Sequence, residues 1–446
     1  MSSLKFAKFL LSGKQSDLTR CCRRFVHQSS VVLQKQSEPP KPGPEQQYED
    51  QKIRNEQAGE LTELVRDFLD PAVFYNQLKV KGIDFFCGVP DSLLKDFCAY
   101  VTKNAPSTNH VITANEGNAI ALASGYHLAT GKSAVVYLQN SGLGNTVNPL
   151  MSLAVPAVYS IPMLLLIGWR GEPGKRDEPQ HRVQGQATPG LLAALGIPFQ
   201  PLPDYEEGAE LALQSARHYM DLSKGPYALL VKRQTFSPYK LPKITPVFPL
   251  SREDALKVIV DNLGTKDIVV GTTGMLSREL YEYRVSKEDG HERDFLTVGS
   301  MGHASSISLG IAMQKPKRQV FCLDGDGAVL MHMGTMATIG QRGPANFKHI
   351  IVNNGAHDSV GGQPTDAGNH NGFDFGAIAK GCGYKDYILA INPEDVAAAV
   401  AKLRSMEGPV LLEIKIKTGA RHDLGRPKTK PLENKEDFMH FLALSK

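Results

Sequence analysis

Two stretches in the second half of the chain combine residue types that could do chemistry together. The first is Leu323-Asp324-Gly325-Asp326-Gly327-Ala328. The apolar run Gln319–Leu323 before it reads as a buried strand closed by glycine punctuation. Gly325 and Gly327 let the backbone approach a ligand that a side chain would block. The composition after Ala328 is helical, so the first amides of that helix would favour an anion in the same loop. Asp326 adds a hard carboxylate beside that anion. The second stretch, Asn353-Asn354, is separated by 25 intervening residues from the Gly325-Asp326-Gly327 triplet and follows another strand, Lys348–Val352. Its amide oxygens suit the same hard cation. A carboxylate, an amide oxygen and a diphosphate together make an octahedral magnesium shell. The alternative is a glycine turn after one strand and a polar turn after another.

These stretches must be positioned by the elements around them. From about residue 60 the chain alternates short apolar runs with helical stretches. Ile83–Cys87 predicts a strand ending at Gly88-Val89-Pro90-Asp91-Ser92, where Asp91 or Ser92 caps a helix. His110–Thr113, Ser133–Leu138, Met163–Ile167 and Tyr227–Val231 predict further strands, and Ala114–Thr130 a helix stopped by Gly131. A helix is also expected over Leu61–Leu69. This rhythm implies a mostly parallel sheet covered by helices. Glu116 opens the otherwise apolar helix, so its carboxylate is either an ordinary first-turn acid or a desolvated group with a raised pKa. The Asn140–Asn145 loop follows a strand and could bind a ligand through backbone groups; the alternative is a surface turn. Gly168–Gln186 is polar and long for a connection, which marks it as functional or as a solvated excursion.

The rhythm restarts after the proline-rich Leu241–Pro249. Ser251 caps a helix, and Asp267–Val270 predicts a strand ending at Gly271-Thr272-Thr273-Gly274. Phe295–Val298 predicts another, ending at Gly299-Ser300-Met301-Gly302-His303. Together with Gly325–Gly327, three strand ends carry glycine, and in open α/β sheets ligands bind at these carboxyl ends. The fold expected is α/β, with two doubly wound parallel-sheet domains. The divisions expected are 1–58 as leader and flexible linker, 59–240 as the first domain and 250–446 as the second.

Charge is unevenly spread. Residues 1–36 carry seven basic side chains against Asp17 alone, so the formal net charge of +4 conceals a slightly acidic remainder. A near-neutral body argues against nucleic acid as a partner, and no apolar run reaches the length of a membrane span. The basic leader, with its arginines, serines and apolar residues, resembles a mitochondrial transit peptide and predicts a matrix location with the leader removed; the alternative is a simple basic tail. Six cysteines show no metal or CxxC spacing, which leaves reduced core thiols.

Gly325-Asp326-Gly327 with Asn353-Asn354 resembles the motif of thiamine-diphosphate (ThDP) enzymes. The run Asn115-Glu116-Gly117-Asn118-Ala119 resembles the start of their pyrimidine-binding domain. Residues 88–97, 115–126, 139–150, 167–174, 177–181, 298–312 and 353–365 together resemble the phosphonopyruvate decarboxylase family, a branch of the ThDP-dependent 2-oxoacid decarboxylases. The resemblance implies a pyrimidine-binding domain, then a diphosphate-binding domain, with no central third domain. It implies thiamine diphosphate and Mg2+ as cofactors. Asp326, Asn354 rather than Asn353, and the carbonyl of Ala356 would ligate magnesium. Thr273, Gly274, Gly299, Ser300, Gly325, Gly327 and Ala328 would surround the cofactor, and Met301 would be an apolar wedge beneath it. Glu116 would exchange a proton with the pyrimidine ring, reaching it from a neighbouring subunit, so the active unit would be a homo-oligomer, at least a dimer, with its site between subunits. His357 would have a catalytic or substrate role. The implied reaction converts 3-phosphonopyruvate, a small anionic 2-oxoacid, to phosphonoacetaldehyde and carbon dioxide. Arg170, His181, Arg182, His303 and His357 are the cations available to a phosphonate. Sulfopyruvate or pyruvate as substrate, or a non-catalytic ThDP-binding subunit, are the alternatives; retention of Glu116, Asp326 and Asn354 argues against the last.

Overall fold

A computed structural model describes residues 68–242, 245–368 and 372–444. The basic leader and most of the helix expected over 61–69 lie outside the described residues. Leu69 itself forms a β-bridge with Phe236.

Two six-stranded sheets follow one another along the chain. The first holds β1 (Phe86–Gly88), β2 (His110–Ile112), β3 (Val135–Gln139), β4 (Leu164–Gly168), β5 (Phe199–Pro201) and β6 (Tyr227–Val231), in the order β2-β1-β3-β4-β6-β5. The second holds β7 (Ile268–Gly271), β8 (Asp294–Leu296), β9 (Val320–Gly325), β10 (Phe347–Asn353), β11 (Asp386–Ala390) and β12 (Val410–Lys415), in the order β11-β12-β10-β9-β7-β8. Every pairing is parallel. The central strands are buried because helices cover both faces: all residues of β4, β6 and β10 are buried, Lys348, His349 and Asn353 of β10 among them. Ile350 and Val352 of β10 pack on one face and Phe347 and Ile351 on the other. Each such aliphatic side chain contributes about 1.5–3 kcal/mol on burial.

The strand order locates the crevices. After β1 the chain goes to β2 on one side and β3 on the other, so the first switch point lies between β1 and β3. After β7 it goes to β8 on one side and β9 on the other, so the second lies between β7 and β9. The Gly271–Gly274 and Gly325–Ala328 turns leave the sheet at the second switch point, where such sheets take ligands.

Local signals agree with these elements. The Asn115 side chain caps the helix Glu116–Thr130 by accepting from the Gly117 amide at 2.8 Å, and Gly131, at φ 70°, ends it. Ser251 caps the helix Arg252–Asp261 through the Asp254 amide. The segment read as a long loop over 168–186 is different. Pro179 starts a helix that runs to Ala194, leaving only 169–178 irregular. Its buried residues Gly185, Thr188 and Leu192 recur at spacings of three and four, but small and polar side chains disguise the stripe. Among the described residues, no helix is long and apolar enough to cross a membrane.

Candidate active site

β9 and β10 are paired in register, with Leu323 beside Ile350 and Gly325 beside Val352. The turn after β9 therefore leaves the sheet next to the turn after β10. Asp326 opens the short helix Asp326–Met331 and is buried. Its Oδ2 accepts the Thr365 hydroxyl at 2.5 Å. Burial pushes this carboxyl up to about 6, against the opposing hydrogen bonds from Thr365 and from the Asp326 and Asn354 amides. Asn354 directs its Nδ2 to Asp358 Oδ2 at 2.6 Å and its Oδ1 to the Ala356 amide at 3.1 Å. The first asparagine is engaged elsewhere. Asn353 Nδ2 donates to Glu413 Oε1 at 2.7 Å, and its Oδ1 accepts the Gly355 amide. The Asn354 backbone amide in turn faces the Asp326 carboxylate, and Asn354 Oδ1 holds the Ala356 amide.

The segment 355–365 folds back over the first turn, with Ala356 bridging Pro364 and the Thr365 amide donating to the Gly355 carbonyl. This lays the His357 ring against Gly327. A Cβ added at Gly327 would lie 3.1 Å from His357 Cε1 and 3.3 Å from Met301 Cε, so only glycine leaves this approach free. Burial lowers the His357 pKa to about 4, against the opposing charge of Asp358, and the ring is neutral at pH 7. Gly274, at φ 100°, lies near Ser359 of the same segment. Thr272, beside Thr273, is buried, and its Oγ1 has no hydrogen-bond partner. Gly299 and Ser300 lie under the first sheet's helix Pro179–Ala194, whose Gln180 donates to the Val298 carbonyl at 2.9 Å.

The first sheet brings its own carboxylate. Glu116 is buried and accepts from Asn145 Nδ2 at 2.8 Å. Gly142 lies directly against it, since a Cβ there would come within 2.1 Å of Glu116 Oε1. The stretch Asn140–Asn145, expected as a loop, is instead a 3-10 turn over Asn140–Gly142 leading into the helix Leu143–Pro149, and it holds Glu116. Burial raises the Glu116 pKa, and the Asn145 hydrogen bond only partly opposes it. Asn115, the neighbouring residue, donates to the Met331 carbonyl at 3.3 Å. A small pocket between the two sheets is lined by Ile112, Thr113 and Ala114 on one side and Gly327, Leu330, His357, Thr365 and Asp366 on the other. Both sides of this pocket come from one chain, and Glu116 is not among its lining residues.

The basic candidates are dispersed. Arg170 is forked onto Asp177 through Nε and Nη2, at 2.9 and 2.6 Å, and reaches Ser92 Oγ through Nη1. His181 is half-buried with Nδ1 unpartnered; burial and then the Arg170 charge push it down to about 4, against Asp177. Arg182 is exposed. His303 is exposed too, with its ring 4.2 Å from that of His332. Arg278 did not stand out in the sequence. It is half-buried on the helix Met275–Ser286 and makes no ion pair among the described residues. Burial, and then the charge of Arg170, depress its pKa. No spacing in the sequence joins Arg278 to Arg170, since the two come from different sheets.

The residues fit a diphosphate and a divalent cation. The donors near the two turns are a buried carboxylate, an amide oxygen and backbone oxygen, all hard ligands. The open side of Gly325, where a Cβ would meet nothing within 4 Å, and the unsatisfied Thr272 hydroxyl leave room and a donor for phosphate oxygens. Residues 72–189 match the thiamine pyrophosphate enzyme N-terminal TPP binding domain, and residues 270–414 the C-terminal TPP binding domain. A phosphonopyruvate decarboxylase of Streptomyces viridochromogenes is 34% identical over 378 residues, which is 81% of this chain and 92% of the relative. One from Streptomyces hygroscopicus is 34% identical over 377 residues, 81% of this chain and 90% of the relative. A sulfopyruvate decarboxylase of Methanosarcina acetivorans is 28% identical over 399 residues, 83% of this chain and 96% of the relative. These relatives are bacterial and archaeal, which overturns the expected mitochondrial matrix location and removable leader. The composition that suggested them, basic and nearly free of acids, is equally that of a basic tail. The chain belongs to the thiamine pyrophosphate enzymes, in the family of the phosphonopyruvate decarboxylases, and is a decarboxylase that works with thiamine diphosphate and magnesium.

Proposed function

We propose that this chain decarboxylates 3-phosphonopyruvate to phosphonoacetaldehyde and carbon dioxide. The observation that carries the substrate is Arg278, a half-buried cation without an ion-pair partner among the described residues, set within electrostatic reach of Arg170. A multiply charged anion between them would relieve their repulsion, and guanidinium forks match phosphonate oxygens. The names and near full-length match of the two Streptomyces relatives support the same substrate.

Asp326, the Asn354 amide oxygen and the Ala356 carbonyl would hold Mg2+. Thr273, Gly274, Gly325, Gly327 and Ala328 would surround the diphosphate, with Gly299, Ser300 and Met301 alongside. When bound, thiamine diphosphate supplies the nucleophile and takes up the electron pair that carbon dioxide leaves behind. Glu116 holds a proton against the pyrimidine ring, a task suited to a buried carboxyl with a raised pKa. His357, neutral at pH 7 and set against Gly327, would serve as a hydrogen-bonding partner for the reacting substrate. The division into a pyrimidine-binding region over 59–240 and a diphosphate-binding region over 250–446 belongs to this reading. So does a homo-oligomer of at least two chains, which sedimentation equilibrium would test.

The full chain with ThDP and Mg2+ should convert phosphonopyruvate to phosphonoacetaldehyde, followed by phosphorus NMR. Arg278→Ala should raise KM about 10–100-fold, as expected for a lost charge-assisted hydrogen bond, and change kcat much less. A wild-type KM in that variant would remove Arg278 from the substrate site. The Methanosarcina relative favours sulfopyruvate as a second reading. Carbon dioxide released from sulfopyruvate alone would keep the chemistry and change the substrate.

A further inference from the structure

The residues around Asn354 form a chain of contacts that none of the assignments above uses. Asp358 Oδ2 accepts three donors: Asn354 Nδ2 at 2.6 Å, Arg252 Nη1 at 3.1 Å and the Gly419 amide at 2.9 Å. Arg252 is buried and fixed from behind, where its Nε and Nη2 fork onto Glu279 at 2.9 and 3.0 Å. Glu279 is itself buried, on the helix that follows the Gly271–Gly274 turn. Asp358 is therefore held from two sides, by a buried arginine and by the chain beyond β12.

An asparagine amide has two nearly isosteric ends, and only the oxygen can ligate a cation. Rotating Asn354 by half a turn would set its oxygen against the Asp358 carboxylate. The Asp358 contact therefore selects the orientation that keeps Oδ1 on the Ala356 side. Partners of this kind fix the ligand atom and tune its basicity.

We propose that Asp358, anchored by Arg252, is a positioning residue that sets the Asn354 amide with its oxygen toward the cation. The inference rests on the reading that Asp326 and Asn354 hold the metal. The test uses the full chain with saturating ThDP and Mn2+ as the probe, with free Mn2+ measured by electron paramagnetic resonance and folding checked by circular dichroism. Asp358→Ala should weaken Mn2+ binding about 10–100-fold, the usual loss for such partners. The exchanged pair Asn354→Asp with Asp358→Asn restores the contact with its polarity reversed and still offers an oxygen to the metal. It should bind Mn2+ within a few-fold of wild type. Wild-type affinity in Asp358→Ala, or an exchanged pair as weak as that variant, would overturn the proposal. Asp326→Ala separates the two ideas. If it too binds Mn2+ normally, the metal assignment itself has failed; if it alone loses the metal, only the positioning role has. Should Asp358→Ala not fold, Arg252→Lys keeps a charge against Glu279, shortens the reach to Asp358, and carries the same expected loss and the same overturning result.

Discussion

Glu116 shows how one residue can be favourable for chemistry and unfavourable for folding. Its carboxyl is buried against Gly142 with Asn145 as its hydrogen-bond donor, and its pKa is raised by burial from the ordinary 4.5. A carboxyl with a raised folded-state pKa stabilises the fold only while protonated. That contribution is complete below the unfolded value and is lost as pH rises through the folded one. Glu116→Gln removes the charge and keeps the shape. It should lower turnover by about 10²–10⁴-fold, the range for a lost proton-transfer group. In urea unfolding it should be more stable than wild type at pH 7, with the advantage gone below about pH 4. Equal stability at both pH values would mean that the carboxyl is not desolvated in solution. The same residue illustrates what sequence reading reaches at this scale. An acid opening an apolar helix was visible in the chain; that Asn145 and Gly142 hold it was not, because that contact depends on the helical segment after β3 packing against the Glu116–Thr130 helix.

At the scale of elements, the irregular stretch 169–178 joins β4 to the helix Pro179–Ala194 and is closed by the Arg170–Asp177 fork. Asp177 is the main capping group of this turn, also accepting the Gly171 and Glu178 amides. Burial alone would raise its pKa, but the Arg170 hydrogen bonds and charge outweigh that and bring it down to about 2 from 3.8. A depressed carboxyl contributes stability above its unfolded pKa and loses it as pH falls through the folded value. Asp177→Asn should therefore be less stable than wild type at pH 7 by denaturant unfolding. The difference should shrink between about pH 4 and pH 2; a gap independent of pH would assign the loss to packing instead. Elements differed in how legible they were. β4 and β6 are buried on both faces and read as unbroken apolar runs, whereas β9 and β10 show apolar runs interrupted by Asp324 and by Lys348, His349 and Asn353. β5 and β11 were missed because they are edge strands, half-exposed and mixed in polarity. The helix over 179–194 was missed because glycine, threonine and proline line much of it.

At the scale of the whole molecule, few polar contacts join the two sheets: Asn115 to Met331, Gln180 to Val298, Gln363 to Lys95, and Arg426 to Glu178. The last comes from the segment after β12, which begins at the Gly419–Asp358 contact and continues through Arg421, paired with Glu253 and Glu282. Arg426 and Glu178 are both partly exposed, and such pairs contribute under about 1 kcal/mol. Arg426→Ala should leave the urea midpoint almost unchanged while hydrogen exchange quickens in residues 419–430. A large fall in global stability would place that segment in the core. By itself, the sequence determined the local chemistry of this protein: strand periodicity, the glycine turns at strand ends, the acid at a helix start and the hard-ligand pair at Asp326 and Asn354. Those follow from backbone sterics and short-range patterning, which a linear chain displays. The tertiary structure alone decided the partners of the two asparagines, Glu413 for Asn353, sixty residues later, and Asp358 for Asn354. It also placed Arg278 near Arg170 and set Arg252 behind Asp358. Such pairings depend on strand order and register, and they arise only when distant stretches are packed together.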